Sequence, residues 1–221
     1  GESLETHAPD SLLVARCQEA RERGEEVTIE GYDDALGLWL DGTAHPVEGG
    51  VSAFVRDVTE QKQLREELQA SERALERLHD IATDPTLTTD GKIDRMLEVG
   101  ADRLGTTYGL LTRIEDGTQT IVRAAGADEN IQPGATTPLS MAYCRHTIEG
   151  EEPLAVDDAP AEGWAEDPAY EQFGFDCYLG ATIRVGAQQY GTVCFIDPEP
   201  RETAFTERDR TFAELLTKRI H

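Results

Sequence analysis

The stretch "CYLGATIRVGAQQYGTVCFIDP", residues 177–198, reads as two apolar strands folded back on each other. A second hairpin precedes it, "TYGLLTRIEDGTQTIVRAAG" (107–126), with Asp116-Gly117 at its turn. Between them, "PLSMAYCRHTIEG" (138–150) reads as a short helix and "EPLAV" (152–156) as a strand. "DDAPAEGWAEDPAYEQFG" (157–174) then reads as a polar loop holding a short helical piece. Helices bracket the set. In "TTDGKIDRMLEVGADRLG" (88–105), Ile93, Met96, Leu97, Ala101 and Leu104 share one face and Gly105 is the stop. "TERDRTFAELLTKRI" (206–220) closes the chain, with Thr206 as its cap and Asp209 in the capping-box position. That order predicts an α+β unit over 83–221: an antiparallel sheet with helices on one face and a long irregular crossing on the other.

Upstream, "EQKQLREELQASERALERLHDIA" (60–82) contains no Gly or Pro and is built from good helix formers. Leu64, Leu68, Ser71, Leu75, Leu78 and Ala82 follow the 4-3 spacing of a coiled-coil seam, so a two-chain shaft is expected here. The same pattern also suits an amphipathic helix packed on one domain. Before it, "DSLLVARCQEARERG" (10–24) is a short helix with Asp10 or Ser11 as N-cap and Gly24 as stop. Three alternating strands follow in "EEVTIEGYDD", "LGLWLDGTAHPV" and "GGVSAFVRDV", an antiparallel meander. Three strands and one helix in 1–59 are too few to close a core, so this segment reads as part of a larger domain.

The net charge is −24, from 44 acidic against 20 basic residues. Lysine occurs only at Lys62, Lys92 and Lys218, and the acid is spread along the whole chain. Nucleic-acid binding is disfavoured, because phosphate contact needs a basic face. Dense like charge with little lysine points to a salt-loving organism, where molar salt screens the self-repulsion. No run approaches the 18 apolar residues of a membrane span, and no secretory pattern opens the chain. Cys17, Cys144, Cys177 and Cys194 form no CxxC pair and are too sparse for a disulfide framework. Reduced thiols and a cytoplasmic location are the expectation.

Two resemblances follow from these residues. "GLWLDGTAHPVEGGVSAFVRDVTEQK" (37–62) resembles the last strands of a PAS sensor domain, whose final strand ends in an Asp-hydrophobic-Thr triplet followed by Glu and Lys. The matching positions are Asp57, Val58, Thr59, Glu60 and Lys62. The resemblance implies a signal junction at Asp57, Thr59 and Lys62 that ties the strand end to the helix start. "SMAYCRHTIEGEEPLAVDDA", "YLGATIRVGAQQYGTVCFID" and "FTERDRTFAELL" together resemble a GAF domain over 83–221. PAS, linking helix and GAF in an acidic chain are similar to the sensor region of haloarchaeal signal-transduction proteins, histidine kinases or bacterio-opsin-activator-like regulators. That implies a homodimer through 60–82 and an effector, a kinase or a DNA-binding domain, elsewhere in the parent protein. No catalytic constellation is expected in these residues themselves.

The GAF resemblance places a ligand between the sheet and its crossing segments, at Tyr143, Cys144, His146, Asp157, Trp164, Tyr170, Phe173 and Tyr178. Aromatic side chains with a few polar groups suit a small-molecule pocket. Five of the chain's aromatic residues fall within 164–178, which favours a lid over a plain connection. Cys144-Arg145-His146 is open to several readings: a redox thiol, a metal pair joined by Cys177, Cys194 or His79, a bilin attachment, or a cysteine that fills space. Bilin-binding GAF domains place His directly after the attachment Cys; Arg145 intervenes here, which argues against a bilin. The cofactor is left open, and no metal is expected. The leading expectation is a sensory module responding to a small-molecule or redox cue. A thiol-based enzyme related to free methionine-sulfoxide reductases, and a ligand-free dimerisation unit, are the alternatives.

Overall fold

Ser11 starts the first described helix, α1 (Leu12–Arg23), by accepting the Val14 amide on its hydroxyl at 3.4 Å. Gly24 ends it in the left-handed region, as the sequence predicts. The computed structural model describes residues 10–126 and 131–220, so residues 1–9 of the expected N-terminal unit lie outside it. The chain divides into two units, Gly1–Ala70 and Ser71–His221.

In the first unit, β1 (Val27–Asp33), β2 (Leu38–Val47) and β3 (Gly50–Asp57) form the expected antiparallel meander in the order β1-β2-β3. Ala20 of α1 packs with Val27, Ile29, Leu40 and Ala44 in a small core. Asp33 is buried yet fully answered. Its carboxylate accepts from the Ser11 hydroxyl at 2.6 Å and from the amides of Leu13, Ala35 and Leu36 at 3.1 Å each. One carboxylate therefore fixes both the start of α1 and the turn after β1. Phe54 of β3, by contrast, is 70% exposed.

The strand-to-helix junction at 57–62 is built from specific bonds. Asp57 accepts the Thr59 amide at 2.9 Å, and Thr59 Oγ1 accepts the Trp39 amide of β2 at 2.8 Å. The Val58 amide donates to the Trp39 carbonyl, also at 2.8 Å. Lys62 lies over the Trp39 ring, 5.2 Å from its centroid, with Nζ 3.9 Å from Glu30. The helix that follows, α2 (Thr59–Thr83), spans 25 residues, about 37 Å at 1.5 Å per residue. The division between units falls inside it. Its leucine seam splits accordingly: Leu64 and Leu68 are 47% and 50% exposed, whereas Leu78 is fully buried in the second unit with Leu75 and Ala82 packed alongside.

The second unit runs α3 (Thr89–Leu104), β4 (Tyr108–Glu115), β5 (Thr118–Ala125), β6 (Thr136–Pro138), a 3₁₀ turn (Leu139–Met141), α4 (Cys144–Glu149), β7 (Leu154–Val156), α5 (Pro168–Phe173), β8 (Cys177–Val185), β9 (Gln188–Asp197) and α6 (Glu207–Ile220). The six strands pair antiparallel in the order β6-β5-β4-β9-β8-β7. Sequence reading omits β6, a three-residue strand too short to show a period. Side chains alternate between two faces. Leu111, Leu179, Val193 and Phe195 meet Leu78, Leu97, Phe212 and Leu216 of the helices on one face. Leu110, Tyr178, Cys194 and Ile196 meet Tyr143, Ala159 and Ala169 of the crossing segments on the other. The helical layer sits tightly: a Cβ on Gly100 of α3 would fall 2.4 Å from the Phe195 ring, so only glycine fits. Thr206 and Asp209 form the capping box that the sequence predicts, with the Thr206 amide donating to Asp209 at 2.9 Å. No described helix is long and apolar enough to cross a membrane.

Candidate functional site

The crossing face carries a chamber of about 60 Å³. Its floor is the sheet, through Leu110, Gln119, Ile121, Tyr178, Cys194 and Ile196. Its walls come from the segment leading into α4, through Ala142, Tyr143 and Cys144, and from Phe173 and Phe175 at the end of α5. Phe173 and Phe175 stack nearly parallel, with centroids 6.2 Å apart. They also line a neighbouring groove of about 610 Å³, with Ile131, Ala135 and Thr137 shared between the two spaces. The aromatic pair thus lines both spaces.

Four of the eight ligand-site residues expected from the sequence line this chamber: Tyr143, Cys144, Phe173 and Tyr178. Tyr143 stacks on Tyr178 with centroids 5.0 Å apart and donates its hydroxyl to the Phe175 carbonyl at 3.0 Å. Burial pushes the Tyr143 hydroxyl pKa up, and the Asp167 carboxylate adds to the effect. The other four residues take different positions. His146 Nε2 lies 3.1 Å from Asp167, and its ring meets Trp164 edge-on at 4.9 Å. Trp164 packs in turn against Tyr143. Tyr170 packs at the edge of the same apolar cluster, its hydroxyl pKa raised by a bond to Asp176. Asp157 serves the backbone, accepting the Phe205 amide on its carboxylate at 2.7 Å and the Arg201 amide on its carbonyl at 2.9 Å.

Arg145 and His146 both turn toward Asp167, the N-cap of α5, whose own carboxylate accepts the Ala169 amide at 2.8 Å. Burial pushes the Asp167 pKa up, but Arg145, the Ala169 amide and His146 outweigh it and hold the carboxyl below its ordinary value. One carboxylate thereby anchors the start of the segment that carries Phe173. The same arrangement takes the imidazole away from the Cys144 sulfur, so the two do not form a thiol–imidazole pair.

Cys144 instead joins a buried ladder of small polar groups. Its Sγ is 3.0 Å from Thr192 Oγ1, which is 2.8 Å from Thr112 Oγ1. The Tyr178 hydroxyl approaches the sulfur at 3.6 Å and Thr147 Oγ1 at 2.6 Å. Hydrogen bonding from the Cys194 thiol pushes Cys144 down to about 7; burial opposes this, and the hydroxyls of Thr192, Tyr178 and Thr112 add to the lowering. Cys194 is held well above the usual thiol range by that same bond and by burial. Gly180 makes room for the ladder, since a Cβ there would fall 2.1 Å from the Tyr178 hydroxyl. Cys177 is buried apart, pushed up to about 12 by burial. Among the described residues, no group of three or more His, Cys, Asp or Glu side chains is placed to hold a metal.

Sequence reasoning missed Gln119, Thr112, Thr192 and Phe175. Gln119 was within reach of it: in "TQTIV" it alternates in phase with Ile121, which faces the same chamber. Thr112 and Thr192 give no such signal, because a threonine in a strand carries no mark of a buried partner.

Residues 90–220 match the family described as GAF domain, and the chain belongs to that family. GAF domains are typically sensory or regulatory modules. No curated protein matches the chain in sequence. Among solved structures, it is similar to the GAF domain of an Acinetobacter phosphoenolpyruvate-protein phosphotransferase, at 16% identity and a TM-score of 0.55, over 70% of this chain and 90% of that one. It is also similar to free methionine-R-sulfoxide reductase from Neisseria meningitidis in complex with its substrate, at 13% identity and a TM-score of 0.53, over 68% and 87% of the two chains. The chromophore binding domain of Stigmatella aurantiaca phytochrome P1 aligns at 14% identity and a TM-score of 0.53, over 94% of this chain and 75% of that one. Identities this low speak to fold alone.

Proposed function

We propose that the chain is a sensory module: the GAF unit takes up a small molecule, and α2 passes the resulting change to an effector in the parent protein. The observation that carries this reading is the largely apolar chamber between the sheet and the crossing segments, lined by Tyr143, Phe173, Phe175 and Tyr178. The first unit acts as the end of a PAS domain, and its bonds from Asp57 and Thr59 to the helix start supply a stiff coupling. Two chains associate through the seam at 60–82, where Leu64 and Leu68 present exposed apolar surface. A kinase or DNA-binding effector completes the parent protein, whose dense acidity suits a salty cytoplasm.

Native and denaturing mass spectrometry on protein kept in high salt tests the reading. A mass excess under native conditions that is lost on denaturation is the expected result. A clean native mass, with thermal stability indifferent to a broad ligand panel, would return the GAF unit to a dimerisation role. The Cys144–Cys194 contact supports a second reading, a thiol-based reductase. It requires turnover of a sulfoxide substrate that disappears in Cys144→Ser.

A further inference from the structure

We infer that Cys144 and Cys194 form a peroxide-responsive pair, oxidised to a reversible disulfide between α4 and β9 by hydrogen peroxide admitted to the chamber. The inference rests on the reading of the GAF unit as a sensor and names its cue. All four cysteines are reduced, and Cys144 and Cys194 belong to one apolar cluster although they lie in different layers. Cys144 opens α4 and Cys194 sits in β9. Cys144 Sγ is 3.0 Å from Thr192 Oγ1, and Thr192 shares a face of β9 with Cys194, two residues on. The two thiols are hydrogen-bonded to each other, and both residues line the chamber. A cysteine that merely fills space needs only apolar neighbours. This sulfur instead meets the hydroxyls of Thr192 and Tyr178 and a second thiol, donors that favour its thiolate.

The chamber of about 60 Å³ is several times what one water needs, so it admits a molecule of peroxide size. Both cysteines are only 2% exposed, which shuts out bulky oxidants. The Cys144 thiolate attacks one peroxide oxygen, the O–O bond breaks, and hydroxide leaves. The sulfur is thereby oxidised to a sulfenic acid as the peroxide is reduced. The Cys194 sulfur then attacks Cys144, forming the S–S bond and breaking the S–O bond. The departing hydroxide takes the Cys194 proton and leaves as water. An external dithiol restores the pair by exchange. The effect reaches beyond the two sulfurs, because a disulfide replaces the Cys144–Thr192 contact and draws the first turn of α4 toward the sheet. The next two residues, Arg145 and His146, hold Asp167 at the start of α5. Oxidation is thus relayed to the segment that carries Phe173.

Hydrogen peroxide and cumene hydroperoxide, added separately to the full folded chain, test the inference. Remaining thiols are then blocked under denaturing conditions, and a digest is read by mass spectrometry. Hydrogen peroxide should yield a Cys144–Cys194 cross-linked peptide that dithiothreitol reverses. Cumene hydroperoxide carries the same O–O bond on a group too large for the chamber, and should yield none on the same timescale. Cys177 is fully buried and should stay reduced, which shows that the chain remained folded. In Cys194→Ser, oxidation should stop at Cys144 with a gain of oxygen rather than a loss of hydrogen. Cys194→Ala gives a second variant at that position, without a new hydroxyl in the core. In Cys144→Ser, Cys194 should stay unchanged, because burial holds the proton on its thiol. A cross-link through any other cysteine, equal rates with the two peroxides, or no cross-link at all would each overturn the inference. A bond that forms with methionine sulfoxide and not with peroxide would overturn it in favour of the reductase. Native mass spectrometry tells the failures apart: a bound mass without any cross-link leaves the sensor reading standing while this inference falls.

Discussion

Asp33 shows how much of the first unit rests on one side chain. Burial pushes its pKa up, but the Ser11 hydroxyl and the amides of Leu13, Leu36 and Ala35 outweigh that and hold the carboxyl below its ordinary value. The unfolded chain therefore takes up the proton first as pH falls. The contribution is complete above the ordinary carboxylate range and is lost as pH drops through the lowered folded-state value. Asp33→Asn should cost about 1–3 kcal/mol at neutral pH, because the four donors lose their anion and meet an amide instead. It should also flatten the acid limb of the stability curve. Urea titrations followed by Trp39 fluorescence in a Trp164→Phe background would check both, and an unchanged midpoint would refute the argument. Such residues are hard to find in a sequence. Asp33 stands in "GYDDALG" beside Asp34, and nothing local says which of the two is buried. Tyr143 and Tyr178 were legible as pocket residues because aromatic side chains announce burial. Asp157 was not legible as a backbone anchor, because a carboxylate before a loop looks the same in either role.

Elements were more legible than residues, because periodicity averages over many side chains. The helices at 12–23, 89–104 and 207–220 lie close to where capping and spacing put them, and both long hairpins keep their expected turns. In α2 the sequence shows a seam but not what covers each part of it, since heptad spacing is the same against a domain or a second chain. The two halves should respond differently to truncation. Leu78→Ala opens a cavity in a filled core and should cost about 2–5 kcal/mol. Leu68→Ala removes a side chain that is half exposed, and should change the stability of the monomer by less than about 1 kcal/mol. Thermal unfolding of the two variants at low protein concentration compares them directly. Equal losses would mean that the exposed end of the seam is packed in solution.

At the scale of the whole molecule, a net charge of −24 on 221 residues is the dominant property. Ion pairs leave this excess uncancelled: Arg103–Asp209, Arg145–Asp167 and Arg123–Asp94 are largely or partly buried, whereas Arg77–Asp102 and Arg113–Glu115 are exposed, and exposed pairs contribute about 0–1 kcal/mol each. Self-repulsion should therefore destabilise the chain at low ionic strength. Raising NaCl from about 0.1 M, where the screening length is about 10 Å, to about 1 M, where it is about 3 Å, should raise the melting temperature. A melting temperature that stays flat or falls across that range would show that the acidity carries no folding cost.

The bonds at 57–62 also say where this chain can be cut and rejoined. By strand boundaries alone, the first unit ends at Asp57, and a protein engineer building chimeras would place the seam there. The Thr59 hydroxyl, however, accepts the Trp39 amide, and Lys62 covers the Trp39 ring. Splicing at the strand end would strip β2 of both partners. A graft that moves this unit onto another domain should keep every residue through Lys62, and any module joined at this point should retain the same six-residue collar.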